Sequence, residues 1–422
     1  MDKKTLITGI SLVTFIAGCS STQQLNSLSY SDASAFEQAL RSRETPTQLE
    51  HEKLYIQPVN KMEPCQLPTS RDQMIRNNFR TYWDGQCKNG YAYGIGRDIA
   101  MSDTHHLEEI TIHDGTGDNS KSPAILYDFV NNAIHYRVAN QGDLSYSRYS
   151  EQIANDINGF NITYIMGIEE VDGKSQYVQT SPFNPTRAFI NNEKNIVYRF
   201  IDNSTSPVIN PSAITFSAEI LDPMTGQPGG VAVARYGNGQ VRHLKLDGVQ
   251  PEPIVLPEEY LSHLNEKYKS ILSAQAIANA NIEKARKIER EYLYMACNGK
   301  HHIDGLDEEV ATKICNWRDQ FNEPYQRALA AYKENLENLM QQAETAEQQR
   351  QLQQQLARQQ QLQHQQQSQH ALQQTINSLS QFNWQMQQSI MNQPAPQIVP
   401  LTPSGNNQIT CVEAGVVTKC RY

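Results

Sequence analysis

The chain has 422 residues and a formal net charge of -9, long enough for two domains or for one domain with a fibrous part. No block of Lys and Arg occurs anywhere, which argues against nucleic acid as a partner. Beyond the N-terminus no apolar run approaches the length of a membrane span.

The first residues, MDKKTLITGISLVTFIAGCSS, carry the three parts of a secretory signal. Lys3 and Lys4 form a positive start, and Leu6 to Ile16 form an apolar stretch too short to span a bilayer. Ile16-Ala17-Gly18-Cys19 resembles the lipobox of bacterial lipoproteins. The chemistry suits those residue types. Small side chains fit a narrow protease site, and only a thiol can form the diacylglycerol thioether. The resemblance implies cleavage after residue 18 and acylation, palmitate included, of Cys19. Ser20 and Ser21 follow in place of Asp, which in that family implies sorting to the outer membrane. The expected partner of Cys19 is therefore a lipid bilayer.

Six cysteines remain: Cys65, Cys87, Cys297, Cys315, Cys411 and Cys420. An even number in an exported chain suggests disulfides, and nearness in sequence favours 65–87, 297–315 and 411–420. No CxxC spacing points to zinc.

Residues 19–77 read as a tether and lead-in. Ser31 is a candidate cap for a short helix through Ala33, Phe36, Ala39 and Leu40. Pro46, Pro58, Pro64 and Pro68 then interrupt regular structure.

Residues 78–250 read as β. Runs such as Glu109–His113, Ala133–Val138, Asn161–Met166, Asn195–Phe200 and Ile214–Ile220 alternate with turn signals. Val231–Tyr236 and Val241–Leu246 flank Gly237-Asn238-Gly239, a hairpin signal. No helical pattern intervenes, so an antiparallel meander is expected rather than βαβ units.

Within this region YWDGQCKNGYAYGIGR (82–97) resembles a MORN repeat, a small β-hairpin unit with regularly placed glycines and aromatics. The resemblance covers one clear unit, with Val233–Asp247 as a degenerate second copy. It implies a protein-binding or membrane-proximal β surface rather than catalysis. No helix follows Gly94-x-Gly96, so it is a poor phosphate loop.

From Glu258 the period changes to that of a helix. Leu261, Leu264, Tyr268, Ile271, Ala278, Ile282 and Ala285 form a seam, with Gln275 filling a gap. Ile288, Tyr292 and Met295 continue it, and Asn298-Gly299 ends it. A second helical pattern runs from about Asp307 to Asn392, interrupted at most by Pro324, so 258–392 reads as a helical hairpin or coiled coil. Some 85 residues of helix would reach roughly 130 Å, more than a globular domain of this size needs. Gln makes up 22 of the 50 residues from 341 to 390, and no Asp, Glu, Lys or Arg occurs from 359 to 412. Leu336, Leu339, Ala343 and Ala346, and then Leu352, Leu356, Leu362, Leu372, Ile376 and Leu379, supply apolar contacts. A Pro-rich tail, 393–422, ends in Cys411–Cys420.

Candidate chemistry is sparse. His105, His106, Glu108 and Glu109 form the single His/carboxylate cluster of the β region. On a strand, His106 and Glu108 would face one way and His105 and Glu109 the other, so a surface strand explains them better than a metal site. His301, His302 and Asp304 suit a polar loop, and Tyr136, Tyr146 and Tyr149 suit sheet packing. No catalytic, cofactor-binding or metal-ligating set emerges.

The expected fold is therefore α+β, an antiparallel meander followed by a long helical hairpin. The expected role is a non-enzymatic scaffold or tether at the outer membrane. Envelope proteins or further copies of the chain would be held through the helical region. The alternatives are a ligand-binding protein or enzyme with the β region as a pocket, or an adhesin.

Overall fold

The computed structural model describes residues 25–41, 53–118, 122–140, 145–156, 159–169, 174–193, 196–206, 210–246, 250–299, 301–391, 410–414 and 417–421. Cys19 and its lipobox lie outside them. Two compact units meet at Glu344 and Thr345 and are treated separately.

The first unit opens with β1 (Asn26–Ser27), α1 (Tyr30–Arg41), β2 (Leu54–Ile56), β3 (Cys65–Thr69), α2 (Arg71–Met74), β4 (Arg80–Trp83) and β5 (Gln86–Lys88). Longer strands follow: β6 (Gly90–Met101), β7 (His106–Asp114), β8 (Ala124–Asp128), β9 (Ala133–Ala139), β10 (Tyr146–Asp156), β11 (Gly159–Glu169) and β12 (Ser175–Ser181). The series ends with β13 (Asn184–Glu193), β14 (Ile196–Asp202), β15 (Ile214–Leu221), β16 (Pro228–Tyr236), β17 (Val241–Lys245) and β18 (Glu252–Val255). The helical part is α3 (Glu258–Cys297), α4 (Glu308–Thr312), a 3₁₀ turn at Lys313–Asn316, and α5 (Asp319–Met391), which continues into the second unit. The fold is α+β, as the sequence predicts.

From β6 to β18 every strand pairs antiparallel with the next, an unbroken meander. The predicted hairpin at Gly237-Asn238-Gly239 joins β16 to β17, with Gly239 at φ +82°. The sheet also begins earlier than residue 78. Strand β3 pairs parallel with β6 and antiparallel with β2, and β1 joins β18. The lead-in is thus part of the folded unit.

One lateral row of side chains crosses the meander in register. It runs Ile110, Ile125, Tyr136, Tyr149, Met166, Val178, Phe189, Phe200, Ala218, Val233, His243, Ile254. This row is the spine of the core, because alternate residues of a strand share a face. The long helix α3 lies on it and touches each strand from β7 to β13.

The buried stripe of α3 is Tyr260, Leu264, Ile271, Ala274, Ala278, Ile282, Ala285, Glu289 and Tyr292. The seam read from sequence is thus present, but it is covered by the sheet rather than by a second helix. Ala274 fills the gap assigned to Gln275. A small residue lets the helix approach the strands closely, and a glutamine there would need polar partners.

Helix α1 packs on β14, β16 and α3 through Ala33 and Leu40. Its cap is Ser29 rather than Ser31: Asp32 N–H donates to Ser29 Oγ at 3.2 Å, and Ser29 N–H donates to Asp32 Oδ2 at 3.2 Å. The Ser29 hydroxyl also donates to Asp32 Oδ2 at 2.7 Å, and this bond, followed by that from the Ser29 N–H, holds the Asp32 carboxyl below its usual range. The carboxylate favours the first turn over a hydroxyl two residues on.

Asn298 and Gly299 (φ +71°) end α3 as predicted. Cys297 and Cys315, 18 apart in sequence, are bridged, and the break between helices falls at the 3₁₀ turn rather than at Pro324. Ile314 and Trp317 are buried there, and following that burial outweighs continuing a regular helix. Pro324 sits inside α5, near its start. The first turns of α5 are pinned to hairpin tips: Phe321 meets Phe160, and Tyr325 and Tyr332 both meet Phe183.

The second unit holds the remainder of α5 and a small hairpin, β19 (Thr410–Ala414) with β20 (Val417–Arg421). Cys411 stands opposite Cys420 in its backbone register. Their side chains lie outside the described residues.

Candidate functional site

The MORN-like stretch builds a pocket for one ring. Trp83 is fully buried and donates Nε1–H to the Gln86 carbonyl at 2.8 Å. A Cβ on Gly85 would lie 2.2 Å from this ring, and one on Gly96 2.6 Å, so these glycines exist to admit tryptophan. The Cys65–Cys87 bridge closes the same cluster. His113 presents its ring edge-on to Trp83 at 4.9 Å, and burial pushes its pKa down to about 4.

The four-residue His/carboxylate cluster divides as strand alternation requires. His106 Nε2 is 2.7 Å from Glu108 Oε1, and Arg97 donates to Glu108 Oε2 at 3.0 Å. Glu108 and Arg97 are buried, and Arg97 also donates to the Ala311 carbonyl at 2.9 Å. Its backbone N–H donates to Asp84 Oδ1 at 2.5 Å, and the Tyr292 hydroxyl donates to Asp84 Oδ2. This node ties the end of α3 and the 308–312 helix to the sheet. Glu109 lies on the opposite face across from Asp98, with Arg137 at 3.8 Å. Loss of water raises both carboxyls, Asp98 more strongly, and each is further raised or lowered by its neighbours: Glu109 and Asp84 push Asp98 up, while Arg137 draws Glu109 down. His105 lies 3.3 Å from the Thr104 carbonyl. His301 packs on Tyr292, and His302 lies 3.4 Å from Asp304 on the surface. No group of three or more His, Cys, Asp or Glu able to hold a metal occurs among the described residues.

Tyr136 and Tyr149 are core residues, and they serve a polar cluster under α3 that sequence reasoning did not find. Glu289 accepts from Tyr136 at 2.9 Å and from Tyr127. Arg318 donates to Glu151 at 3.2 Å, and Arg286 stands over the rings of Tyr136 and Tyr149. Burial and then Glu289 push the Tyr127 and Tyr136 hydroxyls far up, so they stay protonated donors. Tyr146 donates to Glu169 on the outer face. A glutamate inside an apolar seam was the available signal.

Beside the N-terminal half of α3 a cleft of about 600 Å³ opens between the helix and β14–β17. Its floor is aromatic: Phe200, Phe216 and Tyr268 lie with ring centroids 5.3 and 5.4 Å apart around Tyr268. Arg235, His243, Glu258 and Asn265 rim it. His243 Nδ1 accepts the Leu256 N–H at 3.1 Å, and burial lowers its pKa. Asp202 is taken by Arg187 and Ser204.

An apolar row without cover among the described residues runs along α5. Leu352, Leu356, Leu362, Leu372, Ile376 and Leu379, which the sequence offers as apolar contacts, are each 49–66% exposed. Among the described residues no helix is long and apolar enough to cross a membrane.

No family model, curated protein or solved structure matches this chain.

Proposed function

We propose that this chain is a non-enzymatic lipoprotein of the outer membrane, anchored through Cys19, that acts as a scaffold or tether in a cell-envelope assembly. The observation that carries this reading is the exposed apolar stripe of α5, because a run of such residues on a helix marks a surface for another chain. The lipobox-like IAGC supports the anchor, and the two bridges, Cys65–Cys87 and Cys297–Cys315, suit an oxidising compartment. The buried polar nodes support a structural role, since their charged groups are spent on one another.

Two measurements test it. Cys19→Ser is expected to leave the protein unprocessed or to move it into the soluble fraction, because stable anchoring needs more than one acyl chain. Unchanged mass and fractionation would reject the anchor. A photo-crosslinking residue at Leu352 or Leu356, in whole cells, is expected to give a discrete protein adduct. An absence of adducts there would reject the scaffold.

A second reading, ligand binding, is favoured by the cleft over Phe200, Phe216 and Tyr268, whose volume falls in the range of small-molecule sites. That activity would survive removal of residues 345–391. The scaffold would not.

A further inference from the structure

We infer that residues 362–390 of α5 form a parallel, in-register, two-stranded coiled coil with a second copy of this chain. The inference uses α5 alone and stands on either reading of the function.

The seam there is strict. Leu362, Gln369, Ile376 and Asn383 recur every seven residues, and Gln365, Leu372 and Leu379 recur three residues after each of the first three. These are the a and d rows of a heptad repeat, and Met386 and Ile390 continue the d and a rows in sequence. The whole stretch is helical. Leu372 is 66%, Ile376 51% and Leu379 61% exposed, so nothing in the chain's own described residues covers the seam.

The residue types choose the geometry. A β-branched residue at a with leucine at d packs best in two parallel strands, and here Ile376 stands at a between Leu372 and Leu379 at d. A lone Asn at a fixes stoichiometry and register, and Asn383 holds such a position. Its amide both donates and accepts, so it is satisfied by the same amide on a partner at the same height. Gln369 and Gln365 obey the same logic. All three pair with their own counterparts in a parallel, unstaggered arrangement, whereas the antiparallel register that sets Asn383 against Gln365 puts Gln369 against Leu379.

The charge pattern chooses the occupant. Partner choice in coiled coils is written in charges beside the seam, at e and g. From 359 to 412 there is no Asp, Glu, Lys or Arg at all. A different chain with charged flanks would find no complement here, and an identical neutral chain meets no repulsion.

The test is disulfide trapping in the full-length protein. Leu372→Cys and Leu379→Cys place thiols on the seam, and Gln374→Cys places one on the far side, with the wild-type chain as blank. Mild oxidation is expected to double the mass of both seam variants on non-reducing gels and to leave the Gln374→Cys variant at the level of the blank. An antiparallel pair can trap at most one of the two seam positions, so trapping at only one overturns the parallel register. Equal trapping at Gln374→Cys, or a seam adduct with a different protein, overturns the coiled coil with a second copy. Asn383→Val, without an added thiol, should then raise the mass found by light scattering from a dimer to a mixture with higher oligomers. An unchanged dimer mass would remove Asn383 from its assigned role.

Discussion

Replacing Arg97 with methionine should cost roughly 3–5 kcal/mol of folding stability, the range for removing one member of a buried ion pair. Arg97 is 1% exposed, and its guanidinium serves Glu108 and the Ala311 carbonyl at once. Methionine fills much of the volume but leaves the Glu108 carboxylate, with no exposed side-chain surface, with the His106 ring in place of two partners. Denaturant unfolding followed by circular dichroism measures the effect. The double variant Arg97→Met, Glu108→Leu should recover much of the loss, because the penalty comes from the orphaned charge more than from the missing attraction. A single variant within about 1 kcal/mol of wild type would mean that water reaches Glu108 and that the node does not clamp α3 to the sheet.

The second large effect is with pH. The His113 pKa is about 4 in the folded chain against 6.5 for the free side chain. Above pH 6.5 the ring is neutral in both states and contributes no slope. As pH falls from 6.5 towards 4, the unfolded chain takes up the proton and the folded chain does not, so stability is lost on acidification. At about 1.4 kcal/mol per pKa unit the full loss from this residue is about 3.5 kcal/mol. The urea midpoint should drop less between pH 7 and pH 4 in His113→Leu than in wild type, while the raised Asp98 and Glu109 carboxyls act in the opposite sense in both proteins. His135 and His243 are also lowered by burial and keep part of that drop. An identical slope in wild type and variant would show that the ring titrates freely beside Trp83.

Most of the strands were legible because each run of β-branched and aromatic residues ends at a turn signal. The α3 stripe was legible for the same local reason. What covers that stripe was not, because periodicity reveals that a face is apolar and says nothing of the surface that meets it. Tyr136 and Glu289 are 153 residues apart and become neighbours only once the strand register is set. Arg97 and Glu108 lie eleven apart in a hairpin, where a shift of one residue would turn them to opposite faces. The lead-in was misjudged through its prolines. Pro68 sits within β3, whose pairing with β6 involves Cys65 and Gln66 only, so the missing N–H is tolerated there.

The order of elements along the chain has a kinetic consequence. From β6 to β18 each strand pairs with its neighbour in sequence, so each hairpin closes a short loop and can form as soon as both its strands are made. Helix α1 is made first and covers part of the face at β14 and β16, but the row from Ile110 to Ile254 lacks its main cover until residue 258 onward arrives, because α3 is encoded after β18. For the whole of that interval the meander is a half-built layer with an oily face. Docking of that one helix therefore closes most of the face at once, and the meander is most open to other chains just before it.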